Sequence, residues 1–195
     1  QWSSSAASDV YKRQSILRTD KIQASHGTTI QIPSGHVLQA PGHVLQTLVA
    51  TKTDTFSSTN QSFTDIPNMT ITITPSSITS KILFNWHVSV GINGDIAHGY
   101  INAVRDSTNI LVADDDGGSR TEATNVYNTN AAGAMYICSG VFLDSPNTTS
   151  ATVYKLQIKT SNTNSIHVNR SGRDHNAAAH DGRGTSSMSV LEIAG

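Results

Sequence analysis

The stretch Lys81–Ile92, which reads KILFNWHVSVGI, decides the fold. Apolar side chains occupy every second position of it: Ile82, Phe84, Trp86, Val88 and Val90. The positions between them are mostly polar: Lys81, Asn85, His87 and Ser89. Successive side chains of a β-strand point to opposite faces of the sheet. A period of two over this length therefore predicts a strand with one face in a core, and Trp86 is expected to belong to that core.

Shorter stretches of the same kind lie on both sides, at a spacing of about a dozen residues, with turn residues between them. They are His43–Thr53, Asn68–Thr74, His98–Arg105, Asn109–Ala113, Ala134–Leu143, Thr152–Thr160 and Ser186–Ile193. The polar stretches Asp114–Asn130 and Asn169–Thr185 are predicted to be long loops. Many short strands of this spacing predict an all-β antiparallel sandwich.

The composition agrees with this prediction and excludes several classes of protein. The 195 residues include only two glutamates, and charged residues make up 14% of the chain, so strong helix formers are scarce. A net charge of −1 disfavours nucleic-acid binding, which requires a basic excess. No apolar run is long enough to span a bilayer, so no membrane insertion is expected. The only cysteine, Cys138, excludes an intrachain disulfide and a thiolate metal cluster.

Three segments are distinguished along the chain. Residues 1–14 contain SSSAASDVYKRQ, which resembles translated sequencing-adapter DNA, and we expect this segment to be non-native. Residues 15–42 contain short alternating pieces broken by turns, which are too short to bury a face alone, and the resemblance described below implies that they form a short β-rich shaft or neck. Residues 43–195 form the predicted sandwich, or head. The pentapeptide GHVLQ occurs at Gly35–Gln39 and Gly42–Gln46, which indicates a local duplication rather than a repeat architecture.

Two predicted strands are apolar on both faces. In Ala134–Leu143 one face carries Met135, Ile137, Val141 and Leu143, and the other carries Tyr136, Cys138 and Phe142. In Ser186–Ile193, Met188 and Val190 oppose Leu191 and Ile193. A sandwich has one interior, so the second face predicts contact with a neighbouring subunit. Because the aliphatic set of the first strand suits a core, we predict the interface from these residues: Tyr136, Cys138, Phe142, Met188 and Val190.

The sequence contains no recognisable catalytic motif. It has no Gly-x-Ser-x-Gly turn, no His-Glu-x-x-His helix and no phosphate-binding loop. We therefore assign no catalytic residue and no cofactor, and expect a binding protein rather than an enzyme. Loops on a rigid sandwich usually carry binding, and arginine forks suit sugar hydroxyls or acidic glycans. The predicted binding residues are Asp114, Asp115, Asp116, Arg120, Arg170, Arg173, His175, His180 and Arg183.

Two metal sites remain open as alternatives. The triplet Asp114–Asp116 offers oxygen ligands for a hard cation, but it lacks the ligand spacing of a calcium loop, which favours a solvated turn. His167, His175 and His180 would meet their copies at a threefold axis and offer imidazole ligands. We favour polar loop residues in both places and predict no metal.

Longer stretches carry a resemblance to a known family. FLDSPNTTSATVYKLQIKT at Phe142–Thr160 and TSSMSVLEIAG at Thr185–Gly195 resemble the C-terminal end of tail fibre proteins from marine bacteriophages. IQIPSGHVLQAPGHVLQ at Ile30–Gln46 resembles the shaft segment of those proteins, although the duplicated GHVLQ departs from them. The strand order is also similar to the trimeric jelly roll of the tumour necrosis factor and complement-head families.

The resemblance implies a homotrimeric jelly roll on a short β shaft, at the distal end of a virion tail fibre and outside the cell. It implies that the partners are upstream tail fibre or baseplate proteins and a bacterial surface receptor, either a glycan or an outer-membrane component. Two alternatives stay open: a secreted bacterial adhesin or carbohydrate-binding module, and a tail-associated polysaccharide depolymerase. The depolymerase would require two aspartates around a cleft.

Overall fold

The strands of the head account for most of its residues. The computed structural model describes residues 40–93, 97–114, 117–128, 131–176 and 181–195. The strands in these segments are β1 (Val44–Lys52), β2 (Phe56–Ser58), β3 (Thr64–Ile73), β4 (Lys81–Ile92), β5 (His98–Arg105), β6 (Thr108–Ile110), β7 (Asn125–Asn128), β8 (Tyr136–Asp144), β9 (Thr152–Thr160), β10 (Ile166–Val168) and β11 (Ser186–Ile193). No helix in the described segments is long and apolar enough to cross a membrane.

The strands form two antiparallel sheets. The first has six strands in the order β1-β11-β4-β10-β2, and β8 pairs with the other side of β4. The second has five strands in the order β3-β9-β5-β6, and β7 also pairs with β5. The long strands thus run β1-β11-β4-β8 in one sheet and β3-β9-β5-β7 in the other, which is the order of a jelly roll. The predicted all-β antiparallel jelly-roll sandwich is confirmed.

The core lies between the two sheets and is built from alternate residues. The inward side chains of β4, from Ile82 to Ile92, are at most 4% exposed. Trp86 is among them, as predicted from its position in the alternation. Across the core the inward side chains of β9 are fully buried: Tyr154, Leu156 and Ile158. The Phe84 ring lies 5.0 Å from Trp86 and 5.4 Å from Tyr154, so aromatic contacts connect the sheets.

A buried polar cluster also joins the sheets. Asp144, at the end of β8, is 5% exposed and accepts hydrogen bonds from Arg105 Nη1 at 2.7 and 2.8 Å. Tyr154 Oη donates to the same carboxylate at 2.6 Å. Burial alone would lower the pKa of Arg105, but the hydrogen bond to Asp144 and the nearby negative charges together outweigh it and raise the pKa. The cluster thus pairs a buried charge with an opposite charge and a hydroxyl, as a stable interior requires.

The largest differences from the prediction concern four strands. β7 lies inside the stretch Asp114–Asn130 that was expected to be a loop, and β2 and β10 have only three residues each. Such short strands contain too few residues to show a period. β3 begins at Thr64, earlier than predicted, because its register shifts between Asp65 and Thr70 around Asn68, whose φ is 64°. This bulge interrupts the apolar alternation that the sequence analysis used.

The described residues belong to one compact unit that extends from Gln39 to Gly195. Residues 40–42 lead into β1 through a turn, where Gly42 has a φ of 79° and its amide donates to the backbone oxygen of Ala194 at 2.8 Å. The expected non-native segment 1–14 and residues 15–39 of the expected shaft lie outside the described residues.

Candidate functional site

The loop Asn169–Thr185, between β10 and β11, is anchored at its base by Asn169. This residue is fully buried and has a φ of 62°, a conformation that asparagine tolerates better than most residues. Its Nδ2 donates to the backbone oxygens of Lys52 and Asp54, each at 2.9 Å. Its Oδ1 accepts from Ser186 Oγ at 2.6 Å. Because both polar atoms of the amide are paired, the loop starts from a fixed point.

The loop then packs directly against the end of β4. A Cβ atom placed on Gly172 would lie 2.1 Å from the backbone oxygen of Ile92. Only glycine permits such a close approach of two backbones. An isolated bridge between Arg170 and Arg183 pairs the two sides of the loop. The segment that was predicted to bind a ligand is therefore held in place at several points.

Two ion pairs organise the outer part of this loop. Arg173 donates from Nε and Nη2 to both oxygens of Asp181, at 2.8 and 2.6 Å. Arg183 donates from Nε and Nη2 to both oxygens of Asp174, at 3.0 and 2.8 Å. The hydrogen bonds that Arg183 donates lower the pKa of Asp174, and the hydrogen bonds that Arg173 donates to Asp181 raise the pKa of Arg173. Each guanidinium therefore directs its forked side at a carboxylate of the same loop.

Three of the four arginines in the predicted binding set come together in this loop: Arg170, Arg173 and Arg183. Arg170 Nε also lies 3.6 Å from Asp174 Oδ2, so all three face acidic partners. A glycan would have to compete with these carboxylates for the Nε and Nη2 donors of Arg173 and Arg183. Their role in ligand binding stays a prediction, and the geometry gives them a structural role in shaping the loop.

Two of the histidines that were considered as possible metal ligands, His167 and His175, differ in burial. His167 is 4% exposed, and its Nδ1 lies 2.7 Å from Ser57 Oγ. Its Nε2 is buried without a hydrogen-bond partner, and burial, aided by Arg170, lowers its pKa to about 4. His175 is exposed, whereas His180 lies outside the described residues. Among the described residues no group of three or more His, Cys, Asp or Glu side chains lies close enough to hold a metal ion.

The other predicted binding loop lies between β6 and β7. Asp114 and Arg120 are exposed there, and Asp115 and Asp116 lie outside the described residues. The end of the loop is fixed because Thr124 accepts a hydrogen bond from the amide of Ala103 at 2.9 Å. Its own amide donates to Asn102 Oδ1 at 3.3 Å. The end of this loop is therefore attached to β5.

The predicted subunit-interface residues are mostly inside the sandwich. Cys138, Met188 and Val190 are 6%, 1% and 0% exposed, and Phe142 packs against the same core. A side chain buried within its own subunit cannot contact a partner, so this assignment of faces was wrong. Tyr136 is 45% exposed, at the start of β8. Burial also raises the pKa of the Cys138 thiol to about 12.

The reason for the error is the aromatic filling of this end of the core. Phe142 pairs across the strands with Phe84, and Gly140 pairs with Trp86. Because Gly140 has no side chain, the Trp86 indole occupies the space that an aliphatic side chain at this position would need. The density of aliphatic residues along one strand therefore does not identify its inward face when the neighbouring strand supplies large aromatic rings.

The outward face of β8 is instead the aliphatic one. Ile137, Val141 and Leu143 are 69%, 60% and 54% exposed. β8 is an edge strand, because β4 is its partner and no second strand pairs with it among the described residues. This surface, the outer face of the six-stranded sheet at β8 and its neighbours, is named the aliphatic face below. The sequence analysis assigned these residues to the core and did not predict that they are exposed.

Among the described residues, the carboxylates of Glu192 and Asp144 are buried and engaged in several hydrogen bonds. Glu192 is 0% exposed and accepts from Gln46 Nε2 at 2.6 Å, from the amide and hydroxyl of Ser76 at 2.7 and 2.6 Å, and from Ser80 Oγ at 2.7 Å. Asp144 is held by Arg105 and Tyr154, as described above. Neither carboxylate faces the other across a cleft in the manner of a glycosidase pair.

Comparisons with known proteins assign no family to the chain. No family model matches the chain, and no curated protein matches it either. Among solved structures, the chain is similar to VP2 of infectious bursal disease virus. The Gx strain gives 17% identity over 85% of this chain and 40% of that chain, with a TM-score of 0.41. A VP2 subviral particle gives 18% identity over 85% and 46%, with a TM-score of 0.37. The chain thus spans less than half the length of these viral proteins.

Proposed function

We propose that this chain is the head of a trimeric bacteriophage tail fibre, a structural protein of the virion that binds a bacterial surface receptor. The observation that carries the proposal is the aliphatic face of the six-stranded sheet. Three exposed aliphatic side chains stand on one edge strand, and a face of this kind is an aggregation liability unless a partner covers it.

The aliphatic face continues from β8 onto the neighbouring strands. Leu143 pairs across the strands with Leu83, which pairs with Leu191. These three leucines form one row over β8, β4 and β11, since cross-strand partners share a face of the sheet. Leu83 and Leu191 are only partly buried, so the row is open to a partner along its length.

Charged side chains are scarce on the described part of the aliphatic face, as they are in the core of a protein interface. Among the described residues, the outward positions of β1, β11, β4 and β8 include one charged side chain, Lys81, which donates to Ser145 Oγ at 2.8 Å. The outer face of the five-stranded sheet differs, because it carries Asp65, Lys155 and Lys159. Interface cores are depleted in charged residues, whereas solvent-exposed faces are not.

A second copy of the chain is the occupant that fits this face. Three copies arranged around an axis would each bury the aliphatic face and leave no open end for further growth. The edge of β8 would then be covered as well. The sequence resemblance of Phe142–Thr160 and Thr185–Gly195 to the ends of tail fibre proteins supports the same arrangement, because both stretches contribute strands to this head.

The first prediction tests the assembly. Val141→Asp places a carboxylate on the aliphatic face, and three copies would meet unpaired charges in a desolvated interface. We expect the wild-type chain to be a trimer by multi-angle light scattering at micromolar concentration and the variant to be a monomer.

The matched control is Val126→Asp, because Val126 is a similarly exposed valine on the other sheet, at 55% exposure. It should leave the trimer intact. A monomeric wild-type chain, or a Val141→Asp variant that remains trimeric, would contradict the proposal. Binding of the trimer to an array of bacterial surface polysaccharides then tests the receptor role.

A further inference from the structure

A lysine on the outer face of the five-stranded sheet lies over two aromatic rings. The Lys159 Nζ atom is 5.1 Å from the centre of the Phe63 ring and 5.2 Å from the centre of the Tyr100 ring. The His98 ring stacks near Tyr100, with its centre 6.5 Å away and the planes at 27°. All four side chains are partly exposed. They form a single surface that combines aromatic rings with a cation.

The charge of Lys159 has no acidic partner. In the described part of the chain its ammonium group makes contact with the two rings and forms no hydrogen bond or ion pair. The other cations of this sheet are paired, since Lys155 binds Asp65 at 2.9 Å and Arg105 binds Asp144 at 2.7 Å. Cation–π contact at an exposed site is weaker than a charge-assisted hydrogen bond. The ammonium can therefore take an anionic group from solution.

The register of the strands extends this surface into a row. Val126 of β7 pairs with Tyr100 of β5, and Tyr100 pairs with Lys159 of β9, so the three side chains share one face. Three strands at about 4.8 Å spacing give the row a width of about 10 Å. Val126 is 55% exposed and is the cross-strand neighbour of Tyr100. The row is thus apolar at one end and cationic at the other.

We propose that this row, with Phe63 beside it, binds an acidic sugar residue of a surface polysaccharide. The apolar C–H face of the sugar would lie against Tyr100 and Val126, since aromatic rings provide flat apolar area with little loss of conformational freedom. The sugar carboxylate would accept a hydrogen bond from Lys159. This inference rests on the proposed function and specifies its receptor class.

The charge pattern favours this ligand over its competitors. A neutral glycan would leave the unpaired ammonium unused, and an acidic protein surface would not require the aromatic rings beside it. The proposed subunit contact uses the opposite sheet, so this face stays accessible in the trimer. The site also differs from the predicted arginine loop, whose guanidinium groups already bind Asp174 and Asp181.

The experiment measures binding of an oligogalacturonate to the full chain by calorimetry, with a maltooligosaccharide of equal length as the neutral probe. The wild-type protein should bind the uronate, and added salt should weaken the binding. Lys159→Met keeps the apolar stem of the side chain and should weaken binding by about tenfold or more, since it removes a bond to a charged group. Tyr100→Leu should weaken binding as well.

The control variant is Lys155→Met, which removes the same charge from the same face of the same strand. It should change the affinity less than about twofold, within the range of an exposed pair. No binding of the uronate, equal binding of the neutral probe, or an unchanged affinity in Lys159→Met would each overturn the inference. The light-scattering experiment on Val141→Asp is independent, so a trimer that fails to bind the uronate would refute this site and leave the assembly standing.

Discussion

Glu192 shows how a single buried charge is stabilised without a cationic partner. Its carboxylate receives four hydrogen bonds, three from side chains and one from a backbone amide, contributed by Gln46, Ser76 and Ser80. Burial alone would raise the pKa of Glu192, but these bonds together outweigh it and hold the pKa below its usual value. The residue therefore fastens the turn between β3 and β4 to the last strand.

The pH dependence of stability follows from this lowered pKa. A carboxyl group whose pKa is lower in the folded chain stabilises it above the unfolded pKa, and the contribution is lost as the pH falls through the folded value. Glu192→Gln should lower the free energy of unfolding at pH 7 by about 1–3 kcal/mol, because the new amide donates where Gln46 also donates. Urea titrations at several pH values measure this loss and a weaker acid dependence.

The other glutamate of the chain provides the control for this prediction. Glu122 is exposed, and Glu122→Gln should leave both the stability at pH 7 and its acid dependence unchanged. Equal effects of the two variants would mean that the buried hydrogen bonds contribute nothing measurable.

At the scale of single elements, the Trp86 indole limits which residue fits at the centre of β8. Gly140 pairs with Trp86, and a Cβ atom on Gly140 would lie 2.2 Å from Trp86 Cζ2. Trp86 is 4% exposed and donates from Nε1 to Asn125 Oδ1 at 3.1 Å, so its ring is held on the other side too. The glycine is therefore a requirement of packing, although it stands within a strand.

Gly140→Ala should destabilise the head for this reason. Displacing a packed indole costs about 1–3 kcal/mol, as overfilling of a core generally does. Denaturant unfolding measures the change. Ser139→Ala, one residue away on the exposed face, should be within about 0.5 kcal/mol of the wild type. A neutral Gly140→Ala would show that the ring moves without cost.

The same strand explains where sequence patterns succeeded and where they failed. β4, β5, β9 and β11 have the predicted boundaries, and in β4 and β9 apolar and polar side chains alternate over most of the strand. In β8 both faces are apolar, so the alternation has no polar face to identify. Which face of β8 points into the core then depends on the volume left by Trp86 and Phe84, which lie far away in sequence. Local pattern does not contain that information.

At the scale of the whole head, Tyr154 connects the two sheets through its hydroxyl. The ring belongs to the five-stranded sheet, and its Oη donates to Asp144 of the six-stranded sheet at 2.6 Å. Tyr154→Phe should lower the free energy of unfolding by about 1.5–3 kcal/mol, because a buried carboxylate loses a donor. Thermal or urea unfolding of the chain measures this change.

Tyr127→Phe is the matched control, because the Tyr127 hydroxyl is buried and has no hydrogen-bond partner. Removing it should be neutral or slightly stabilising, since an unpaired buried hydroxyl contributes only a desolvation cost. If both variants lost the same stability, the hydroxyl–carboxylate bond would not be what joins the sheets.

The candidate sites could be predicted from sequence only in part. The loop arginines were predicted as binding residues from their chemistry, and the structure brings them together, but with Asp174 and Asp181 as partners. The row of Val126, Tyr100 and Lys159 was missed, because its members come from three strands and meet only through the register. Register depends on long-range pairing, which one sequence does not reveal.

The buried thiol of Cys138 has one more consequence. It is the only cysteine of the chain, it is 6% exposed, and its pKa of about 12 leaves almost no thiolate near neutral pH. Thiol reagents attack the thiolate, so the native protein should be almost inert towards them. Reaction requires separation of β8 from β4, where Cys138 pairs with Val88. Labelling kinetics with an aromatic disulfide reagent therefore report how often this edge strand opens, without an engineered probe.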